Sequence, residues 1–360
     1  MRVAIDGREL VGQATGAGRY LSQLLTAWDG LEAARPHQFV ICAHAAPALP
    51  STPHLQVSTV VKPGAGGTAW EQLVLPGLLR AARPDVFFAP AYTAPLRGST
   101  PLVLAVHDVS FFAHPEWFSW REGARRRFVT RKAAARASRV LTLTNFSRDE
   151  LVRHVGLATS RLEVIPLGPS GLDLQPPAQT REPLILYVGS ILARRHVAEL
   201  VAGFGRLAQR HRDIRLVIAG DARGVRRDEL EGQIRHAGVS DRVTVTGFVT
   251  DAELADLYRR ASAFAFLSSY EGFGLTPLDA IAAGVPPVVL DTPTAREVYG
   301  DAAHYVPHPD PALIEAALDR VLFDTSARSA LLAAGPVVVG RYSWTSTGRA
   351  TLAAITEAAR

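Results

Sequence analysis

Two doubly wound α/β domains joined by a short linker are what this 360-residue sequence predicts, on three observations. Short apolar runs alternate with helical stretches through both halves, the rhythm of parallel strands connected by crossover helices. Residues 169–183 break that rhythm with prolines and polar residues and no apolar periodicity, the composition of a linker. The length suits two cores better than one, and the 48% of hydrophobic residues can fill both. The predicted divisions are a first domain over 1–168, the linker, a second domain over 184–342 and a final helical segment over 343–360.

In the first domain, strands are expected at 3–5, 39–43, 56–61, 85–89, 102–107, 139–144 and 163–166. Between the first two, Leu21, Leu24 and Leu25 mark an amphipathic helix. The loop before it carries Thr15-Gly16-Ala17-Gly18-Arg19-Tyr20, a tight βα turn. A dinucleotide fingerprint is excluded there, because the third glycine and the acid after the second strand are missing. His107-Asp108 ends the run 102–106, where parallel strands direct polar groups toward ligands. In the second domain the strands are 184–188, 215–219, 242–246, 263–267 and 287–290.

Composition narrows the function. The net charge is +5 and the pI about 9.6, but lysine occurs only at 62 and 132 and the arginines are spread along the chain. No helix-turn-helix, zinc-finger or RNP pattern accompanies them, so nucleic acid is not an expected partner. Acidic lipid or a phosphorylated ligand accounts for the charge equally well. Residues 117–136 combine aromatics with a basic helical stretch, which suits either an anionic membrane surface or a solvated helix. No apolar run approaches a membrane span and residues 1–6 form a strand pattern, so cytoplasm is the expected location. Cys42, the single cysteine, sits in an apolar run and is expected to be buried. No metal-ligand cluster and no cofactor motif is evident.

The most informative stretch is 270–284. The apolar run 263–267 leads into Glu271-Gly272-Phe273-Gly274-Leu275, and Thr276-Pro277 has the look of an N-cap followed by proline at the first helical position. Free N–H groups at such a terminus, with glycines that admit a ligand to the backbone, favour a phosphate. Glu271 would repel a phosphate, so its partner should be a neutral, hydroxyl-bearing part of the ligand. A sugar fits. Asp279, three residues after Thr276, either completes a capping box or touches the ligand itself.

Glu271-Gly-Phe-Gly-Leu with an acid eight positions on resembles the E-x7-E signature of retaining nucleotide-sugar glycosyltransferases of family 4, which have the GT-B architecture of two Rossmann-like domains facing a cleft. The likeness extends over nearly the whole chain. Gly16-Ala-Gly18-Arg-Tyr resembles the family's G-x-G-R-Y, and 107–116 resembles H-D-x-S-F-x-x-x-P-E. Residues 144–151 resemble the S-x-F-S-x-x-E-L turn with Asn145 where serine is common, and 187–196 resembles Y-V-G-x-x-x-x-R-K-N. The chain departs from the pattern at Asp279 for glutamate, Arg195 for lysine and His196 for asparagine.

The resemblance implies transfer of a glycosyl group with retention, without a metal, the donor diphosphate helping to deprotonate the incoming hydroxyl. Arg194 and Arg195 would stabilise the leaving group, and Gly189 would open their loop. Glu271 would hold a donor-sugar hydroxyl, Asp279 the ribose, and His107 the reacting sugar or acceptor. Gly16 and Gly18 would lie close to the phosphates, Gly220, Gly247 and Phe248 around the base, and Gly272, Phe273, Gly274, Leu275 and Thr276 along the donor. The final helix, 347–358, would cross back onto the first domain. Landmarks 107–117 look most like mannosyltransferases of polysaccharide assembly, so GDP-mannose is the first choice of donor, with a saccharide or lipid-linked acceptor. The alternative is a non-catalytic or regulatory sugar-nucleotide-binding protein of the same fold, for which the three substitutions speak.

Overall fold

The computed structural model describes residues 1–12, 16–172, 181–221 and 227–360. The chain divides into two units, one of residues 1–168 with 342–360 and the other of residues 169–341. Each holds one parallel sheet.

The first sheet comprises β1 (Arg2–Asp6), β2 (Gln38–Ala43), β3 (Gln56–Val61), β4 (Val86–Ala89), β5 (Leu102–Ala105), β6 (Arg139–Thr142) and β7 (Leu162–Val164), in the order β3-β2-β1-β4-β5-β6-β7. Helices α1 (Gly16–Asp29), α2 (Gly67–Leu73), α3 (Leu75–Ala82), α4 (Ser110–Ala113), α5 (Trp120–Arg136) and α6 (Asn145–Val155) belong to the same unit. The central strands β4 and β5 are buried at every position, which is why they appear in sequence as unbroken apolar runs. At the edge, β3 has no buried residue and is mostly exposed.

The second sheet comprises β8 (Leu184–Val188), β9 (Arg215–Ala219), β10 (Val243–Gly247), β11 (Ala263–Phe266), β12 (Pro287–Leu290) and β13 (His304–Val306), in the order β10-β9-β8-β11-β12-β13. Its helices are α7 (Val197–Arg210), α8 (Arg227–His236), α9 (Asp251–Arg260), α10 (Leu275–Ala282), α11 (Pro293–Tyr299), α12 (Pro311–Phe323) and α13 (Thr325–Val339). Its core gathers β8, β9 and β11 with the apolar face of α7, through Leu200, Val201, Phe204 and Leu207.

The last helix, α14 (Trp344–Ala358), packs on α1 in the first unit. A Cβ on Gly348 would stand 2.9 Å from Ala27 Cβ, so only glycine permits the approach. The indole of Trp28, fully buried and stacked on Phe39, donates to the Gly348 carbonyl at 2.8 Å.

Both sheets reverse strand order once, between β1 and β4 and between β8 and β11. In open parallel sheets, ligands bind beyond the carboxyl ends of strands at such a reversal.

Three local expectations are corrected. Helix α1 starts at Gly16, so Gly16–Tyr20 form its first turn rather than a preceding loop; Thr15 lies outside the described residues. Tyr20 joins Leu21, Leu24, Leu25 and Trp28 on the buried side, and that burial favours helix through both glycines. Helix α10 is capped by Gly274 in the left-handed region (φ 88°), not by Thr276, which is its second residue. The Tyr299 hydroxyl, 2.8 Å from the Gly274 carbonyl, holds that turn. Pro277 is tolerated at the third position, where no intrahelical N–H bond is lost. A Thr276–Asp279 capping box therefore does not form; the box of this unit is Thr250–Glu253, at the start of α9. The strand β13 was not expected.

Candidate active site

In the second unit, the sheet reversal gathers the loops after β8 and β11. Gly189 (φ 146°) and Gly220 (φ 155°) lie at the ends of β8 and β9, and a Cβ on Gly220 would come within 1.9 Å of the Gly189 carbonyl oxygen. Two backbones thus meet where no side chain fits. The chain then turns through a short 3-10 segment, Ala193–Arg195, and His196 in the left-handed region (φ 50°). The Ser269 amide donates to the Arg194 carbonyl at 2.9 Å, tying this loop to the one after β11.

Across that tie Arg195 meets Glu271. Nε and Nη2 of Arg195 approach Glu271 Oε1 at 3.0 and 2.9 Å, and the Ser268 hydroxyl donates to the same oxygen at 2.9 Å. Nη1 of Arg195 donates to the Ser190 carbonyl at 3.1 Å, and the guanidinium lies 5.0 Å from the Phe266 ring centroid. Burial opposes the arginine's charge, but Glu271 and Tyr187 beside it keep its pKa above the ordinary value. All three donors converge on Oε1. Among the described residues, Glu271 Oε2 receives none, and it is the oxygen left to accept a ligand hydroxyl.

Around this pair, Thr294 Oγ1 donates to the Glu271 carbonyl at 3.0 Å, and Tyr299 pins Gly274 as described. Phe273 is buried while Gly272, Gly274, Leu275 and Thr276 are half-buried along the loop and the start of α10. Asp279 lies inside α10 at 3% exposure, its Oδ1 accepting the Ser170 N–H at 2.7 Å. Gly247 (φ 72°) ends β10, and Phe248 after it is 58% exposed.

In the first unit, His107 follows β5, half-buried, with Nε2 2.8 Å from the Pro90 carbonyl. The edges of Tyr20 and Tyr92 contact its ring at centroid distances of 4.7 and 5.5 Å. Burial lowers its pKa, against the opposing pull of the Pro90 carbonyl and the charges of Asp108 and Glu9. Gly16 is open and exposed at the first position of α1, and Gly18 is buried two residues later in the same turn. At the β1–β4 reversal, Arg8 bridges Asp6 (2.6 Å) and Glu71 (2.5 Å), and Thr93 donates to Glu71 at 2.6 Å.

Sequence reasoning passed over Ser268, Thr294, Tyr299, Tyr92 and the Asp6–Arg8–Glu71 cluster. Only Thr292-Pro293, a cap and first-turn proline that start α11 and so place Thr294 and Tyr299, left a readable trace. Among the described residues, no group of three or more His, Cys, Asp or Glu is placed to hold a metal ion.

Two family models divide the chain: "Glycosyltransferase Family 4" matches residues 14–169 and "Glycosyl transferases group 1" matches 173–336. The chain belongs to the family 4 glycosyltransferases. This glycosyltransferase is 28% identical to O-antigen chain mannosyltransferase B of Escherichia coli over 253 residues, 67% of the chain and 66% of the relative. It is also 28% identical to the alpha-D-kanosaminyltransferase of Streptomyces kanamyceticus over 266 residues, 69% of the chain and 68% of the relative. Among solved structures, sucrose-phosphate synthase from Thermosynechococcus elongatus matches with a TM-score of 0.80 at 18% identity, covering 99% of this chain and 98% of that one. That likeness carries the fold: the glycosyltransferase has the GT-B architecture expected from its motifs.

Proposed function

We propose that this glycosyltransferase moves a sugar, with retention and without a metal, from a nucleotide diphosphate sugar to a hydroxyl acceptor in glycan, polysaccharide or glycolipid synthesis. The observation that carries the reading is the Arg195–Glu271 pair, which offers cationic N–H groups and one unengaged carboxylate oxygen side by side. A diphosphate leaving group needs the first, and the hydroxyl of the sugar attached to it needs the second. Arg194 and Arg195 stabilise the leaving group, Glu271 orients the donor sugar, Asp279 reaches the ribose, and His107 contacts the reacting sugar or acceptor. Gly189, Gly220, Gly272 and Gly274 admit the donor to the backbone, and Phe248 offers an exposed ring for the base.

Mannose from GDP-mannose is the first choice of donor, supported by the named activity of the Escherichia coli relative; the kanosaminyltransferase keeps other sugars in the screen. Release of nucleoside diphosphate from candidate donors, with and without acceptor, tests the proposal. Slow turnover without acceptor is expected. Tight binding with no turnover of any donor would identify a sugar-nucleotide-binding protein instead. EDTA should leave turnover intact; a strict need for magnesium or manganese would refute the metal-free reading.

The acceptor is a saccharide or a lipid-linked saccharide, met at the cytoplasmic face of an anionic membrane. Among the described residues no single helix is long and apolar enough to cross a membrane. Helix α5 instead supports peripheral docking: Trp120 is 79% and Phe128 57% exposed, beside exposed Arg121, Arg125, Arg126, Arg131 and Lys132. Flotation with acidic liposomes at low salt, lost at high salt, is the expected result. Absence of salt-sensitive flotation would return α5 to a solvated helix.

A further inference from the structure

Tyr92 is one of three non-glycine residues with positive φ among the described residues, at 59°. For a bulky aromatic this backbone is costly, and it persists only where the surroundings enforce it. The enforcement is visible. The Tyr92 amide donates to the Ala105 carbonyl at 2.8 Å, and its hydroxyl donates to Asp108 Oδ2 at 2.8 Å. Asp108 is itself fixed, because its Oδ1 accepts the Ser110 N–H at 2.8 Å. The left-handed turn thus lays the phenol across the end of β5, with its ring 82° to that of His107 and 75° to that of Phe111.

The same bracket decides the chemistry of His107. The Pro90 carbonyl can only accept, so the imidazole nitrogen 2.8 Å from it must carry a proton. That nitrogen is Nε2. In the neutral ring Nδ1 then holds the lone pair, and among the described residues no group donates to it.

We propose that Tyr92 is a positioning residue that locks His107 as the Nε2–H tautomer, so that the histidine meets its sugar hydroxyl as a hydrogen-bond acceptor at Nδ1. The assignment rests on the proposed glycosyl transfer for its use, but not for its geometry. Tyr20 is a second T-shaped neighbour of the ring, at 76° and 4.7 Å. The phenols supply shape and the Pro90 carbonyl supplies the proton bias.

Nitrogen-15 NMR of the histidine rings tests the tautomer without turnover, with the His107 signals assigned from a His107→Gln sample. A protonated Nε2 and bare Nδ1 are expected near neutral pH. A protonated Nδ1 overturns the proposal. The second arm uses Tyr92→Gly, the residue best suited to φ 59°, which removes the bracket while relieving the backbone. Its melting temperature should fall by only a few degrees, because relief of the backbone offsets part of the lost ring packing and the lost bond to Asp108. Its kcat should fall by roughly ten- to hundredfold, with KM for donor little changed and the His107 tautomers mixed. Tyr92→Phe, which keeps the ring but loses Asp108, should recover most of the kcat and the single tautomer. A Tyr92→Gly variant with wild-type kcat and tautomer overturns the proposal. A wild type that transfers no sugar sinks the functional reading, while the spectrum still decides the tautomer.

Discussion

Replacing Arg195 by alanine separates the two tasks its guanidinium performs. Its side chain is 15% exposed and that of Glu271 21%, and two of its N–H groups converge on one carboxylate oxygen. Removing one partner of a buried pair costs about 3–5 kcal/mol, mostly because the other charge is stranded. Here water reaches the stranded carboxylate in part, so a loss of roughly 2–3 kcal/mol is expected, below that range. For a unit of this size each kcal/mol lowers the melting temperature by about 2–4 °C. Scanning calorimetry should therefore record a fall of roughly 4–12 °C, with Arg195→Lys losing less because the charge survives without the fork. The functional loss is read separately, by titration calorimetry with a nucleoside diphosphate and its nucleoside. A lost hydrogen bond to a charged group is worth about 1.5–3 kcal/mol, so diphosphate affinity should drop roughly 10- to 100-fold while nucleoside affinity barely moves. Equal losses for both ligands would place Arg195 away from the phosphates. An unchanged melting temperature would refute the buried pair.

Glu271→Gln should fold normally, since the amide oxygen still accepts from Arg195 and Ser268, yet slow turnover by roughly 10- to 100-fold; wild-type rates in the steady-state assay would remove Glu271 from the donor site. Asp279→Asn keeps an acceptor for the Ser170 N–H and should cost about 1 kcal/mol or less by denaturant titration. If Asp279 holds the ribose, the same variant weakens ribonucleotide binding but not that of the 2′-deoxy analogue, and unaltered affinity for both would overturn that role. Gly274→Ala forces a side chain into the left-handed region and within 1.9 Å of the Tyr299 hydroxyl. A loss of about 2–3 kcal/mol is expected, and a stability within error of wild type would show that the turn at Gly274 can be remade.

Much of the fold was legible because parallel strands covered on both faces are near-continuous apolar runs, as in 184–188 and, after Arg215, in 215–219, where expected and observed strands coincide. β13 escaped because it is three residues long and two of them, His304 and Tyr305, are only half-buried. Thr276-Pro277 mimicked a helix start, and what overruled it was the Tyr299 hydroxyl 25 residues away, a tertiary contact that no local pattern announces. The loops bearing Arg195 and Glu271 could be singled out from their own residues, but not their pairing across 76 positions. Tyr92 left no trace at all, since nothing in Ala91-Tyr92-Thr93 favours positive φ.

The Trp28–Gly348 bond also dictates an order of manufacture. Residues 1–168 leave the ribosome first, yet α1 has no α14 to rest on, and the Trp28 indole no carbonyl to bind, until residues 342–360 follow. Synthesis of the intervening unit takes on the order of 10–35 s at usual elongation rates. Through that interval the uninterrupted later unit can complete its sheet while the earlier one waits with an apolar flank of α1 uncovered. Residues 1–168, made before 169–341, are therefore completed after them.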